Sequence, residues 1–198
     1  MANPRGVLLG AAFGFCLVTA TCSWAAESAI TPYGEKNTEA PHQLAEFSFL
    51  VGQWQGSGRT RLANGSYADF SGVTWIGRYI LDGMAIADEF HASTPDGKAY
   101  LGISLRQFDT HRNSWIVEYL NVSNSFLRRQ VNPRSGSVSH QADGPVVTSA
   151  DGQAQFRETY RVTDKDHFTY SAESSKDGGR TWDPVSIQIS MVRAEKGS

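Results

Sequence analysis

The segment "YLGISLRQFDTHRNSWIVEYLNV" (residues 100–122) decides the fold class, because it places two extended arms on either side of a polar turn. In a β-strand alternate side chains point to opposite faces, and both arms divide into two such sets. Asp109–Asn113 supplies residues typical of tight turns. The segment therefore predicts an antiparallel hairpin.

The same pattern recurs along most of the chain. Further turns are predicted at Asn64-Gly65, Asp82-Gly83, Pro95-Asp96-Gly97, Asp151-Gly152 and Asp164–Asp166. No long amphipathic helix separates the strands, which excludes a sheet built from βαβ units. A meander of roughly ten strands must close or expose its edges. We therefore predict an all-β fold, an antiparallel meander closed into a barrel with room for one small ligand.

One short helix is expected before the first strand. Pro41 suits a first helical turn, and Leu44, Phe47, Phe49 and Leu50 would form its apolar side. Glycine at position 52 then ends the helix. Residues 41–198 are predicted to form a single barrel domain.

Residues 1–25 have the features of a secretory signal peptide. A short positive segment precedes the apolar residues 6–20, and small residues before position 26 suit cleavage after Ala25. An uncleaved membrane anchor and a lipid-modified Cys22 are the alternatives. Residues 26–40 have no apolar period and are predicted to be a flexible lead-in. We expect an exported protein, periplasmic or secreted, without stable membrane insertion after cleavage.

The composition of the chain limits the classes of partner that we expect. The formal net charge of −2 provides no electrostatic reason to expect nucleic acid. Both cysteines, Cys16 and Cys22, lie in the leader, so a cleaved chain has no disulfide, thiolate metal site or cysteine nucleophile. A small-molecule ligand remains the expected partner, and the oligomeric state is left open.

The segment "SKDGGRTW" (residues 175–182) is interpreted as a structural turn. Asp177 and Ser175 can hydrogen-bond turn amides, Gly179 tolerates positive φ, and Trp182 is expected to resume a strand and pack across the turn. The string is similar to the Asp-box of sialidase propellers, but it occurs once and a propeller needs repeats. Calcium would require more oxygen ligands than one aspartate.

Two resemblances concern the fold. Gly52-Gln53-Trp54 is similar to the G-x-W signature of lipocalins, in which an arginine from the last strand packs over the tryptophan; Arg193 stands at that place. "FSFLVGQWQG", "ILDGMAI", "YLGISLRQFDTHRNSW" and "HFTYSAESSKDGGRTWD" resemble a family of exported bacterial calycin-like proteins without an assigned function. The resemblance implies a barrel of about ten strands with a central cavity, structural roles for Gly52, Trp54 and Arg193, and no catalytic motif.

Four polar or aromatic residues are candidates for lining the cavity. Inward-facing arginines would favour an anionic ligand head, because guanidinium matches carboxylate or phosphate. Alternatively, the arginines lie on the outer face or pair with Glu118 and Glu158. The ligand-binding candidates are Arg106, Tyr119, Asn121 and Arg157.

Glu89 and His91 share one face of the segment "ADEFHA" and are the catalytic candidates. A carboxylate beside an imidazole suits acid–base work or two metal ligands, but a wet surface strand explains the pair equally. The other histidines are scattered, so no metal is predicted. A haem on His167 is not expected, because a lone histidine at a turn is typically solvated, and no other cofactor is predicted.

The sequence therefore favours an exported barrel that binds a small, partly apolar ligand in its cavity. One alternative is an enzyme acting on a small apolar substrate there, with Glu89 and His91 as the acid–base pair. The other is a structural protein with a filled barrel. Burial of the candidate residues distinguishes the three.

Overall fold

The computed structural model describes residues 31–93, 95, 97, 99–121, 128–129, 137–151 and 154–194. Residues Thr31–Ser198 group into one compact unit by their contacts. The predicted signal peptide, residues 1–25, lies outside the described residues, as do residues 26–30 of the predicted lead-in. In the described part of the chain, no helix has the length and apolar character needed to cross a bilayer.

The described residues form eleven strands and one short 3₁₀ helix. In chain order these are the helix His42–Leu50 and the strands β1 Gly52–Arg61, β2 Tyr67–Ile80, β3 Ala85–Ser93, β4 Ala99–Asp109, β5 Ser114–Asn121, β6 Arg128–Arg129, β7 Ser137–Gln141, β8 Gly144–Asp151, β9 Ala154–Asp164, β10 His167–Ser175 and β11 Ile187–Arg193.

The strands form one antiparallel sheet that curls into a nearly closed barrel. Their order is β6-β5-β4-β3-β2-β1-β11-β10-β9-β8-β7, so the first and last strands pair with each other and every other neighbour follows in sequence. Near the two ends of this order, β5 and β7 contact each other. The predicted fold class is confirmed, with the two-residue β6 as an addition to the ten longer strands.

Among the described residues, the predicted turns at Asn64-Gly65, Asp82-Gly83, Asp109–Asn113 and Asp164–Asp166 join consecutive strands, whereas Asp96 and Gly152 of the other two turns lie outside the described residues. Asn64-Gly65 lies between β1 and β2, and Gly65 has a φ of 85°. Asn113, at the end of the turn from β4 to β5, has a φ of 49°, which asparagine tolerates better than most residues. The β7–β8 hairpin was not predicted. Its turn, Ala142-Asp143, contains no glycine or proline, although Gly144 follows it.

One part of the turn prediction is wrong. Thr181 and Trp182 do not resume a strand, because β10 ends at Ser175 and β11 begins only at Ile187. The hydrogen bonds of Asp177 hold residues 177–181 in a closed loop, and the chain then follows an irregular path to β11.

The 3₁₀ helix fills one end of the barrel. Leu44, Phe47 and Leu50 are fully buried. The Phe47 ring meets Trp115 edge to face at 4.9 Å between centroids and Tyr160 at 6.0 Å. Burial of each such side chain contributes roughly 1.5–3 kcal/mol to folding. We call this end, closed by the helix, the closed end.

Trp54 and Arg193 form the second element of the closed end. The Arg193 guanidinium lies 4.1 Å from the centroid of the Trp54 ring. Trp54 Nε1 donates to the Leu50 carbonyl (3.1 Å), and Arg193 Nη1 donates to the Val51 carbonyl (3.0 Å). Gly52 has a φ of 127°, and a Cβ there would overlap Arg193 Nη1. These contacts tie the helix to the first and last strands.

The described part of the lead-in runs beside the turn between β2 and β3. Tyr79 N–H donates to the Tyr33 carbonyl (2.8 Å), and Asn37 N–H donates to the Gly83 carbonyl (3.2 Å). A Cβ at Gly83 would overlap the backbone of residues 35–37. These hydrogen bonds hold residues 33–37 against that hairpin.

Candidate functional site

A cavity of about 490 Å³ occupies the barrel interior beyond the side chains that pack on the helix. We call this the open end. Seven aromatic side chains among the described residues line it: Trp75, Phe90, Tyr100, Tyr119, Phe156, Tyr160 and Tyr170. Its other lining residues are Thr60, Arg61, Ser104, Glu158, Ala172, Glu173, Ser174, Ser186 and Ile187.

The lining follows from the two-residue period of the strands. On β9 the inward positions are Phe156, Glu158 and Tyr160, and on β10 they include Tyr170 and Ala172. Alternate residues share one face of a strand, so each strand supplies a short column of side chains to the cavity wall.

The aromatic side chains pack against each other around Trp75. Its ring lies 5.1 Å from Phe90, 5.5 Å from Tyr170 and 6.1 Å from Tyr160, all at steep angles. Tyr160 and Tyr170 lie 5.2 Å apart. Edge-to-face packing of this kind is favourable and fixes ring orientation. The cavity therefore has a largely preformed aromatic wall.

Two carboxylates belong to the lining. Glu158 accepts a hydrogen bond from the Tyr170 hydroxyl (3.1 Å). Glu173 pairs with Arg157, whose Nε and Nη2 both lie 2.8 Å from Glu173 Oε2. The positive charge on Arg157 therefore offsets the charge of Glu173 from the outer side of the strands.

A buried polar layer separates the cavity from the helix. Arg106 is 2% exposed and Asp88 is 1% exposed, and the two form an ion pair through Arg106 Nη1 and Asp88 Oδ2. Arg106 Nη2 donates to the Tyr160 hydroxyl (3.0 Å), and the guanidinium lies 5.2 Å from the Phe47 ring. Buried charges persist only when paired in this way.

Tyr160 is the member of this layer that also lines the cavity. Burial raises the pKa of its hydroxyl to about 12; the Arg106 charge acts in the opposite direction and the Glu158 charge adds to the rise. Burial has the larger effect, so the phenol stays protonated at neutral pH. It is therefore available as a hydrogen-bond donor.

Three buried polar atoms among the described residues have no hydrogen-bond partner: Trp75 Nε1, Asp88 Oδ1 and Arg106 Nε. All three belong to residues around Tyr160, since Arg106 bonds its hydroxyl, Asp88 pairs with Arg106, and Trp75 packs on its ring. Unpartnered buried groups are uncommon in native proteins. Their grouping marks the deep end of the cavity.

The four predicted ligand-binding residues have different positions. Tyr119 lines the cavity, and its ring occupies space that a Cβ at Gly102 would fill. Arg106 lies beneath the cavity, paired with Asp88. The side chain of Asn121 lies outside the described residues.

Arg157 lies on the opposite face of β9 from the cavity lining. It pairs with Glu173, and its guanidinium lies 4.0 Å from the centroid of the Trp182 ring. Neither arginine follows the predicted pairing, since Asp88 and Glu173 are the partners instead of Glu118 and Glu158. Both guanidinium groups are therefore engaged in ion pairs, which leaves the predicted anionic ligand head without support from an unpaired arginine at these two positions.

Glu89 and His91 do not line the cavity. Asp88 and Phe90 occupy the inward face of β3, so Glu89 and His91 lie on the outward face. Glu89 pairs with Arg78 at 2.9 Å, with both side chains more than 40% exposed, and His91 is exposed. Both residues lie on a solvated surface strand, as the alternative interpretation held. The prediction of an acid–base pair facing the cavity is therefore wrong.

His167 is exposed and its Nδ1 lies 2.9 Å from Asp164 Oδ1. Backbone donation from Asp166, followed by the hydrogen bond with His167, lowers the pKa of Asp164. Among the residues that the structure describes, no three histidine, cysteine, aspartate or glutamate side chains come together as metal ligands.

The loop after β10 is tied by its own side chains. Thr181 donates to Asp177 through its backbone N–H (2.9 Å) and hydroxyl (2.7 Å), and Ser175 Oγ donates to the same carboxylate (2.8 Å). These bonds, the backbone one first, lower the pKa of Asp177 to about 2. Gly179 has a φ of 84° and donates to Ser175 Oγ. The ring of Trp182 stacks against the Arg157 guanidinium on the outer surface.

Sequence reasoning missed most of the aromatic wall. In "QFRETYRV" the alternation separates Phe156, Glu158 and Tyr160 from the arginines, but it does not say which set faces inward. Two aromatics in one set favour that set as the buried one. The same argument on "ADEFHA" would have selected Asp88 with Phe90.

A second depression, of about 620 Å³, lies along β1, β2 and β11 and includes Arg59, Asp69, Ser71 and Gln188. It is mainly lined by polar residues, and most of these are exposed. It lacks the enclosed aromatic lining of the barrel interior. The interior cavity is therefore the candidate site.

Several solved structures are similar to the chain. The chain is similar to the S-type phycobiliprotein lyase CPES from Guillardia theta, with a TM-score of 0.54 and 13% identity over 76% of this chain and 92% of that one. Rv2717c from M. tuberculosis matches with a TM-score of 0.47 and 16% identity over 79% and 100%. A fluorescence-activating β-barrel of de novo design matches with a TM-score of 0.37 and 14% identity over 77% and 97%.

No curated protein matches the sequence. A protein family does match, over most of the barrel: residues 37–190 correspond to the family described as protein of unknown function, DUF1579. The chain belongs to this DUF1579 family.

Proposed function

We propose that the protein binds a small, partly apolar, aromatic ligand in the open end of its barrel. The observation that carries the proposal is the cavity of about 490 Å³ with seven aromatic side chains among its described lining residues. Pockets for small molecules are commonly 300–1,000 Å³ and lined by aromatic and apolar groups with a few polar ones.

Burial of apolar surface favours binding in this cavity. An aromatic ligand entering this space removes its own apolar surface and that of the wall from water, at roughly 25 cal/mol per Å². The rings around Trp75 already pack against each other, so little ordering is required on binding. A preorganised wall reduces the entropic cost of association.

Charge sets a limit on the ligand. The guanidinium of Arg106 is paired with Asp88 and does not line the cavity. Glu158 faces it, Glu173 borders it with its charge offset by Arg157 on the outer face, and Arg61 is its one lining arginine or lysine among the described residues. A neutral or weakly polar ligand fits this setting better than a strongly anionic one.

The two alternative functions have less support. The enzyme alternative requires Glu89 and His91 beside the cavity, and both lie on the outward face. The structural alternative requires a filled barrel, and the open end contains a cavity. A shared fold does not identify a ligand, so the proposal depends on the side chains of this chain.

We also propose that the chain is exported, because residues 1–25 combine a short positive segment with an apolar one and a small-residue cleavage site. Intact-mass measurement on protein from its native host tests this. The expected product begins at Ala26. A full-length chain, or a lipid on Cys22, would contradict cleavage after Ala25.

Native mass spectrometry and equilibrium dialysis test ligand binding. Protein from its own compartment is expected to retain a small molecule, or to bind fluorene in dialysis. Ala172→Trp fills the cavity from β10 and should abolish binding, whereas Val192→Trp, at a 48% exposed position on β11, should not. Absence of both a retained molecule and fluorene binding in the wild type would overturn the proposal.

A further inference from the structure

We propose that the ligand carries a neutral hydrogen-bond acceptor, such as a ring carbonyl, which receives hydrogen bonds from Tyr160 and Trp75 at the deep end of the cavity. This inference rests on the proposed function and narrows the ligand to a flat aromatic ketone, lactone or lactam. Polar atoms at the deep end that lack a partner in the described part of the chain are the basis of this inference.

Tyr160 is the first donor. It is 1% exposed and lines the cavity. Among the described residues, its hydroxyl has one hydrogen bond, which it accepts from Arg106 Nη2 at 3.0 Å. Donation from a cation polarises the O–H bond and strengthens it as a donor. The proton of this hydroxyl is therefore available to a ligand oxygen.

Trp75 is the second donor. It is 3% exposed and also lines the cavity, and its Nε1 has no partner in the described part of the chain. An indole N–H can only donate, so an acceptor must come from elsewhere. The ring centroids of Trp75 and Tyr160 are 6.1 Å apart, so the two side chains are neighbours in the cavity wall.

The surrounding groups favour a neutral acceptor. Ser104, a largely buried lining residue on β4 opposite Asp88, adds a hydroxyl that can donate. Asp88 itself is an acceptor, but it is paired with Arg106 and does not line the cavity. Glu158 on the wall carries negative charge, which disfavours a carboxylate or phenolate ligand. A carbonyl oxygen satisfies the donors without that repulsion.

Three tricyclic compounds of nearly equal shape test the inference. Fluorenone, fluorene and carbazole carry C=O, CH₂ and N–H at the same position. Equilibrium dialysis against the leader-free protein is expected to give a dissociation constant for fluorenone about tenfold below that of fluorene, which is the usual size of a hydrogen bond's net contribution. Carbazole, which offers a donor, is expected to bind no tighter than fluorene.

Variants assign the effect to the named side chains. Tyr160→Phe should remove most of the preference for fluorenone over fluorene. The matched control is Tyr67→Phe, which removes the hydroxyl of an exposed tyrosine outside the cavity lining and should keep the preference. Because Tyr160→Phe leaves Arg106 without an acceptor and could impair folding, Trp75→Phe serves as a second variant and should weaken the preference in part.

Infrared spectroscopy provides a measurement on the wild-type protein. Hydrogen bonding should lower the carbonyl stretching frequency of bound fluorenone relative to fluorenone in hexane. Equal affinities for fluorenone and fluorene, or an unshifted carbonyl band in the bound state, would overturn the acceptor inference and leave ligand binding standing. Failure of all three compounds to bind would overturn the proposal of an aromatic ligand itself.

Discussion

The barrel interior contains two neighbouring tryptophan–arginine sets, one packed at the closed end and one beneath the cavity, and only the first is fully partnered among the described residues. At the closed end, Trp54 Nε1 donates to the Leu50 carbonyl, and Arg193 bonds backbone carbonyls while it stacks on Trp54. At the open end, Trp75 Nε1 and Arg106 Nε have no partner among the described residues.

The comparison is direct, because Trp54 and Trp75 are opposite each other across β1 and β2. Both indoles are buried, so burial alone does not separate architecture from function. The hydrogen bonds of the two indole N–H groups distinguish them, since Trp54 Nε1 has a partner and Trp75 Nε1 has none among the described residues. A buried polar group that the protein satisfies belongs to the scaffold, whereas a group of unsatisfied ones beside a cavity is a site where a ligand can bind.

The largest expected effect comes from the buried ion pair of the open end. Asp88→Ala should lower the free energy of unfolding by about 3–5 kcal/mol, because it leaves the Arg106 charge buried without a partner. Urea denaturation measures this. The double variant Asp88→Ala/Arg106→Met should recover a large part of the loss, and a double variant no more stable than the single one would contradict the pair's role.

The arginine of the closed end should matter less for stability. Arg193→Ala removes a cation–π contact and hydrogen bonds to Val51 and Lys165, from a side chain that is one third exposed. The expected loss is about 1–3 kcal/mol. Fluorene affinity should not change, since Arg193 does not line the cavity. A large change in affinity would show that the two ends are coupled.

A change in stability of similar size, with an added effect on binding, is expected at the cavity wall. Gly102→Ala puts a Cβ into space held by the Tyr119 ring, so the ring must move. Overpacking of this kind costs about 1–3 kcal/mol, and fluorene binding should weaken as the displaced ring enters the cavity. Calorimetry and dialysis measure the two effects. In a Tyr119→Ala background the overlap is absent, so Gly102→Ala should cost little more there, and an undiminished additional loss relative to Tyr119→Ala alone would refute this cause.

The smallest effect concerns the loop after β10 and depends on pH. The pKa of Asp177 is lowered to about 2 in the folded protein, below the value of about 4 for an unfolded aspartate. Its stabilising contribution is therefore present above pH 4 and lost as the pH falls through about 2. Asp177→Asn should lower the urea midpoint slightly at pH 6 and by less at pH 2. A constant difference would contradict the linkage.

Local features of the fold could be predicted, because they depend on neighbouring residues. Turn residues such as Asn64-Gly65 and Asp82-Gly83 located the hairpins, and strand alternation separated the two faces correctly. The alternation has two equivalent solutions, however. Arg157 and Glu158 are neighbours on β9, and only packing against the other strands determines that Glu158 faces the cavity.

The site could be predicted only in part, for a related reason. Asp88 and Arg106 lie on the adjacent strands β3 and β4, whereas Tyr160 lies on β9, far from both in the sequence. The three side chains therefore meet only because the sheet curls into a barrel. Glu89 and His91 were selected because a carboxylate and an imidazole can act as an acid–base pair. They are the strand neighbours of the inward-facing Asp88 and Phe90, so their own side chains face outward. The aromatic residues on one face of a strand were the feature of the sequence that indicated which face is buried.

The most direct test of the difference between the ends is a ¹H–¹⁵N correlation spectrum that follows the indole N–H signals of Trp54 and Trp75 while fluorenone is added. Trp75→Phe assigns the open-end signal. We expect the Trp75 signal to shift downfield on binding while the signal of Trp54, whose N–H is already hydrogen-bonded to Leu50, stays in place. An unmoved Trp75 signal at saturating fluorenone, or equal shifts of both, would contradict this expectation.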